Sequence, residues 1–147
     1  MSGVSIAIDL DDEVLKLALD RIESLLKDLS EPLEDIGASL VSSTLGRFEQ
    51  GRGPDGVAWR PSRRAIDQGG QTLIDSGLLR SSIVYEAGSD QVRVGSNRVY
   101  AAIHQEGGQA GRGGKTRLPA RPYLGVNDDD RDEIRAIVDD WIAGALA

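Results

Sequence analysis

The sequence predicts an α+β fold with an N-terminal strand, two long helices, a small, mostly antiparallel sheet and a C-terminal helix. Two observations support this fold class. Near both ends of the chain apolar residues recur every three or four positions, as in amphipathic helices, and in short segments elsewhere they alternate with polar residues, as in strands. A chain of 147 residues has the size of one ordinary domain, so we assign residues 1–147 to a single domain.

The chain is predicted to begin with a strand that is followed by a helix. Every second side chain of residues 4–10 is apolar, which indicates a half-buried strand. Asp11 or Asp12 can then cap a helix, because a short acidic side chain accepts hydrogen bonds from the first free amides. Apolar residues at helical spacing form a stripe within residues 14–29, and such a stripe needs a packing partner.

A second long helix follows, and a third helix ends the fold. Pro32 suits the first turn of a helix, and an apolar stripe within residues 33–48 ends near Gly51. Asn127 is a candidate cap for the last helix, where residues 128–130, all aspartates, interact favourably with the helix dipole. The side chains expected to be buried on this helix are Ile134, Ile137, Val138, Trp141 and Ile142.

The centre of the chain is predicted to form a hairpin between two flexible loops. The loops cover residues 51–72 and 107–117, where glycine and proline interrupt the periodicity. Residues 73–82 predict a short helical turn that enters a strand at 83–86. This strand is expected to pair, through a four-residue connection, with residues 91–95.

Two further segments and a set of anchoring side chains complete the predicted fold. Residues 100–105 suit one helical turn, and residues 118–124, with two prolines, suit an edge or irregular strand. Trp59 is expected to dock its loop on the core, because an indole buries roughly 150–250 Å². The lone histidine fits a hydrogen-bonded structural role. The predicted structural anchors are Trp59, Tyr100, His104, Tyr123 and Trp141.

The composition excludes several classes of protein. The absence of cysteine excludes a disulfide framework and thiolate zinc sites, and a single histidine excludes a multi-histidine metal site within one chain. No segment approaches the roughly 18 consecutive apolar residues of a membrane-spanning helix. The N-terminus lacks the basic flank of a secretory signal. We therefore expect no membrane association, and we expect neither a cofactor nor a metal ion.

Charge is distributed unevenly along the chain, whose net charge is −7. Residues 1–50 hold 11 acids and 4 bases, residues 51–125 hold 6 acids and 11 bases, and residues 126–147 hold 7 acids and 2 bases. A basic, glycine-rich centre thus lies between two acidic arms. Exposed acidic helices with arginine-rich loops explain this pattern as well as contacts with a partner do.

Three motifs suggest chemistry, and none forms a complete site. Residues 111–116 are similar to a phosphate-binding loop, but Gln109 stands where that pattern requires glycine. His104 and Glu106 suggest an acid–base pair or a two-ligand metal site, yet no third group is identifiable. The aspartates at 128–130 could bind a divalent cation, although consecutive side chains at a helix start diverge. Structural roles are therefore preferred, and we predict no catalytic residue.

The basic loops are the candidate interface. An arginine fork pairs with carboxylates, so the basic loops of one copy can contact the acidic helices of the next and join copies head to tail in a ring. The alternative is a nucleic-acid-binding module in which the same charges contact phosphates, although few stacking aromatic rings accompany them. The candidate interface residues are Arg63, Arg64, Arg112, Lys115, Arg117 and Arg121.

Five motifs, taken in order, carry a family resemblance. They are residues 56–61 (Gly-Val-Ala-Trp-Arg-Pro), 73–83 (beginning Leu-Ile-Asp-Ser-Gly), 92–97 (Val-Arg-Val-Gly-Ser-Asn), 100–108 (beginning Tyr-Ala-Ala-Ile-His) and 118–125 (Leu-Pro-Ala-Arg-Pro-Tyr-Leu-Gly). In this order they resemble the virion morphogenesis, or tail completion, proteins of Mu-like bacteriophages and prophages, and more distantly the neck proteins. Each motif alone is unspecific, whereas the ordered set is specific.

The resemblance implies a structural protein rather than an enzyme. Such a protein completes the tail end and joins the tail to the head at the neck, as a homo-oligomeric ring, commonly a hexamer, around the DNA passage. The implied partners are other copies, tail tube or terminator proteins and head-closure or connector proteins, while DNA passes without sequence-specific binding. The implied location is the virion neck, with assembly in the host cytoplasm. In this setting Arg121 is expected to pin a sheet edge to a neighbouring carboxylate.

Overall fold

The computed structural model describes residues 12–147, so the strand predicted at 4–10 and the cap predicted at Asp11 lie outside the described residues. The described part contains helices and two small antiparallel sheets, which confirms the predicted fold class. Its elements are α1 (Asp12–Lys27), α2 (Ser30–Gln50), α3 (Arg63–Gln68), α4 (Leu78–Ser81), β1 (Val84–Ala87), β2 (Val92–Gly95), α5 (Ala101–Glu106), β3 (Gly108–Ala110), a 3-10 turn (Arg112–Gly114), β4 (Thr116–Leu118) and α6 (Asp128–Leu146).

Both long N-terminal helices are present. Pro32 is buried in the first turn of α2, and α2 ends at a left-handed Gly51 whose amide donates to the carbonyl of Arg47. On α1 the apolar side chains face solvent within the part of the chain that the structure describes, and Leu26 is 62% exposed. The stripe on α1 was expected to need a partner, and α2 does not cover it.

The predicted hairpin lies directly on α2. β1 pairs antiparallel with β2, with Val84 opposite Gly95, which agrees with the predicted strands to within one residue. A Cβ atom at Gly37 on α2 would lie 2.5 Å from the Tyr85 ring, so only glycine permits this close approach. The hairpin therefore covers one side of α2.

Three predictions for the centre of the chain are wrong. Helix α3 forms inside the predicted loop 51–72, because the Ser62 hydroxyl caps it by accepting from the amide of Ala65 at 3.1 Å. A six-residue helix is too short for its periodicity to be recognised. Residues 108–118 form a second hairpin, β3–β4, rather than a loop. Residues 119–124 form no strand, since their prolines cannot donate ladder hydrogen bonds.

The core lies between the end of α2 and the central segments. Its buried apolar residues are Phe48, Trp59, Leu79, Ile83, Ala101 and Tyr123. The Phe48 ring centroid lies 5.7 Å from that of Trp59 and 5.1 Å from that of Tyr123. These rings hold the segment after α2 against the segment before α6.

Helix α6 begins with the predicted Asn127 cap and packs on α2. The Asn127 side chain accepts from the amide of Asp130, and the Asp130 carboxylate accepts from the amide of Asn127. The expected burial of Ile142 is wrong, because this side chain is 40% exposed. Trp141 is half-buried, since α6 packs on one helix rather than in the core.

Candidate functional site

Among residues 12–147 a cleft of about 290 Å³ lies beside the core. We call it the Arg121 cleft. Helices α3, α4 and α5 and the end of β4 surround it, and the sequence predicted none of this convergence. The lining of the cleft includes the side chains of Arg64, Leu73, Asp75, Leu78, Tyr100, His104, Leu118 and Arg121.

Arg121 lies at the base of the cleft and is 5% exposed. Its Nε donates to the carbonyl of Arg60 at 2.7 Å and its Nη2 donates to the carbonyl of Pro61 at 3.5 Å. Burial, and next the charge of Arg60, lower the pKa of Arg121. Sequence reasoning expected a carboxylate here, and the structure instead places main-chain carbonyls against the guanidinium.

His104 forms the wall next to Arg121. Its carbonyl accepts from the amide of Arg121 at 2.8 Å, and its ring meets the ring of Tyr100 edge-on at 6.1 Å. Nδ1 is buried without a hydrogen-bond partner among the described residues, which differs from the expected hydrogen-bonded side chain. Burial, and next the charge of Arg121, lower the pKa of His104 from 6.5 and so favour the neutral form of its ring.

The opposite rim carries Arg64 and an irregular loop. Nη2 of Arg64 donates to the carbonyls of Gln71 and Ile74 at 2.9 and 3.2 Å, and Nε lies 3.7 Å from the exposed carboxylate of Asp75. Leu73 has a φ of 66°, a left-handed conformation that costs a non-glycine residue roughly 1 kcal/mol or more. Arg64 thus holds a strained loop at the edge of the cleft.

The other predicted interface residues lie away from this rim. Arg112, Lys115 and Arg117 are exposed on the β3–β4 hairpin, which we call the basic hairpin (residues 108–118). No ion pair within residues 12–147 includes any of the three. Arg63 is exposed on α3 and lies 3.7 Å from Asp67. Only Arg64 and Arg121 of the six predicted residues line one cleft.

Two polar contacts that sequence reasoning missed fix the segment between β4 and α6. Arg47 on α2 pairs with Asp130 at 2.5 Å, and both side chains are buried. The side-chain oxygen Oε1 of Gln105 on α5 accepts hydrogen bonds from the backbone amides of Tyr123 and Leu124, each at 3.0 Å. The burial of Asp130 could not be predicted from the sequence, because Asp130 follows two aspartates that are exposed.

The remaining candidate motifs do not assemble into a catalytic arrangement. Among residues 12–147 no three His, Asp or Glu side chains are grouped to hold a metal ion. His104 and Glu106 share helix α5, and Glu106 is exposed. No helix in the described part of the chain combines the length and the apolar character needed to cross a membrane.

Comparison with known proteins connects this architecture to phage assembly. The family model described as the phage virion morphogenesis family matches residues 10–143. The "Mu-like prophage FluMu G protein 2" of Haemophilus influenzae is 36% identical over 124 residues, which cover 84% of this chain and 86% of that protein. The "Putative capsid assembly protein G" of Escherichia phage Mu is 31% identical, covering 97% of this chain and 96% of that protein. No solved structure matches the chain.

Proposed function

Because this chain belongs to the phage virion morphogenesis family, we propose that it completes the tail end and joins the tail to the head at the neck. In this proposal it acts by shape, as a ring of identical subunits around the DNA passage, and its partners are tail tube or terminator proteins and head-closure or connector proteins. It assembles in the host cytoplasm and remains in the virion. The interface is formed by Arg63, Arg64, Arg112, Lys115, Arg117 and Arg121.

The observation that carries this proposal is the extent of the family match. It covers residues 10–143, so the shared feature is the entire fold rather than one local motif. Both relatives are named for phage components, one for capsid assembly and one for a Mu-like prophage.

The basic hairpin supplies the surface through which this role can be tested. Arg112 and Lys115 lie exposed on a short hairpin, where desolvation against a partner's carboxylates would give charge-assisted hydrogen bonds. The double variant Arg112→Glu, Lys115→Glu should keep the melting temperature of the parent and leave heads and tails unjoined. Electron microscopy of the lysate counts joined and separate particles.

A matched control separates a local effect from the change in overall charge. The double variant Lys27→Glu, Arg98→Glu changes the net charge by the same amount at two exposed positions away from the basic hairpin. It should give joined, infectious particles. Normal, joined particles from the Arg112→Glu, Lys115→Glu variant would show that the basic hairpin is not part of the interface.

A nucleic-acid-binding module is the second candidate, because Arg112, Lys115 and Arg117 have no ion-pair partner among residues 12–147. This alternative predicts an affinity for DNA that falls steeply as salt rises. A binding titration of the purified protein at two salt concentrations distinguishes the two functions. The neck assignment predicts no such affinity.

A further inference from the structure

Arg121 carries a buried charge that no carboxylate within the described residues compensates. Its hydrogen bonds go to the carbonyls of Arg60 and Pro61, and no ion pair within residues 12–147 includes it. Buried guanidinium groups are normally paired with an acid, because desolvating an isolated charge costs free energy. A second molecule that brings a carboxylate into the cleft would supply the pair.

The other side chains of the cleft indicate which groups lie beside that carboxylate on the second molecule. Leu73, Leu78 and Leu118 make apolar walls, while Arg64 adds a second positive charge at the rim. The carboxylate of Asp75 is 80% exposed and offsets Arg64 only in part. The cleft therefore suits an acidic side chain with apolar neighbours. A phosphate group would match the charge of the cleft but has no aliphatic part to pack against these walls.

Helix α6 presents such a combination on its surface. Asp139, Ile142 and Leu146 are spaced by three and four residues, which places them on one face of the helix, and we call them the α6 stripe. Ile142 is 40% exposed and Leu146 is 43% exposed. The helix is also strongly acidic, because residues 126–147 hold 7 acids and 2 bases.

We propose that the Arg121 cleft of one copy receives the α6 stripe of the next copy. The carboxylate of Asp139 pairs with Arg64 and Arg121, and Ile142 and Leu146 pack against the apolar walls. This inference rests on the proposed function, since it requires that copies associate during assembly. Because the two surfaces differ, copies can make this contact head to tail, and such contacts close into a ring when the rotation between subunits closes.

A charge exchange tests the contact. Asp139→Arg should lower the association of copies about a hundredfold, because two like charges would face each other in a desolvated site. Adding Arg64→Glu to the same chain should restore part of this association, since the exchanged charges again attract although the Arg64 hydrogen bonds to Gln71 and Ile74 are lost. Cross-linking of the protein within assembling particles, followed by counting of joined particles, measures both effects. Rescue by Arg64→Glu, together with a normal Asp140→Arg control, indicates that residues 64 and 139 of neighbouring copies are in contact.

Two further variants keep the test decisive. Asp140→Arg is the matched control, because it makes the same charge change on a different face of α6 and should assemble normally. Ile142→Glu places a charge on the apolar part of the stripe, so it should cause the same loss as Asp139→Arg without any change to the cleft. Its melting temperature should equal that of the parent.

The outcomes separate this inference from the proposed function. Normal association of Asp139→Arg or of Ile142→Glu would overturn the cleft contact while leaving the neck role intact. A rescue that fails although the double variant retains the parent's melting temperature would also overturn it. A salt-sensitive affinity for DNA that is lost in Arg64→Glu would overturn it in favour of a phosphate ligand. The neck role itself is tested separately, and it fails if particles lacking the protein are joined normally.

Discussion

Tyr123 connects the core to α5 through one buried hydroxyl. This hydroxyl donates a hydrogen bond of 2.6 Å to the carbonyl of Ala101, and burial raises the pKa of the phenol above 10. Removing the hydroxyl would remove this buried hydrogen bond to the carbonyl of Ala101. We therefore expect Tyr123→Phe to lower the free energy of unfolding by about 0.5–1.5 kcal/mol.

The control for this prediction is Tyr100→Phe, since the Tyr100 side chain is exposed. Its free energy of unfolding should change by less than about 0.5 kcal/mol. Denaturant unfolding of the parent and both variants makes the comparison. Equal effects of the two substitutions would show that the hydrogen bond to Ala101 contributes nothing.

Trp59 is the second residue whose replacement should lower the stability of the whole fold. It is 6% exposed, and its Nε1 donates to the carbonyl of Pro122 at 2.7 Å. Trp59→Ala should destabilise the protein by about 3–5 kcal/mol, because it removes a ring from the core and leaves a cavity. Thermal unfolding measures this loss, and an unchanged melting temperature would show that the indole is not an anchor.

His104 should make stability depend on pH. In the folded protein, burial and the charge of Arg121 lower the pKa of His104 below 6.5, its value in the unfolded chain. At a pH between these two pKa values, the unfolded chain therefore binds a proton that the folded chain does not. Stability is therefore expected to fall as the pH drops below 6.5 through the folded pKa.

The contribution of His104 to the pH dependence of stability is measured by comparing the parent with His104→Gln. Melting temperatures of both proteins are recorded from about pH 7.5 to pH 5.5, where titration of carboxylates affects both alike. The parent should lose more stability over this range than the variant does. Parallel curves would contradict the assignment.

At the scale of elements, one ion pair joins α2 to α6. Arg47 donates to Asp130 and also to the carbonyls of Tyr123 and Gly125 at 2.8 and 3.0 Å, so it holds both the helix start and the segment before it. Arg47→Met would leave the buried Asp130 carboxylate unpaired. We expect a loss of about 3–5 kcal/mol in the free energy of unfolding.

The exposed pair of Arg131 and Asp128 is the natural control. These side chains also meet on α6, at 3.1 Å, but both are solvated. Arg131→Met should cost at most about 0.5 kcal/mol. If urea unfolding gives similar losses for Arg47→Met and Arg131→Met, burial is not what makes the first pair important.

The elements also separate what sequence could predict from what it could not. Helices α2 and α6 and the β1–β2 hairpin were predictable, because their patterns are long or end in turn residues such as Gly51. Helix α3 was not, because its signal is a single Ser62 cap on six residues. The Arg121 cleft could not be predicted either, because Arg64 and Arg121 are far apart in sequence and only the tertiary fold brings them together.

At the scale of the whole molecule, opposite charges lie on different parts of the fold. Helix α6 is acidic and the Arg121 cleft is cationic, which is the arrangement that the proposed contact between copies requires. The family assignment concerns the fold across residues 10–143, and it agrees with a role that requires no catalytic group.

The measurement that bears most directly on the neck role is electron microscopy of particles assembled without this protein. A phage lacking the gene should produce DNA-filled heads and complete-length tails that remain separate, and supplying the protein in trans should join them. If heads and tails are joined and infectious in its absence, the protein does not complete the tail end.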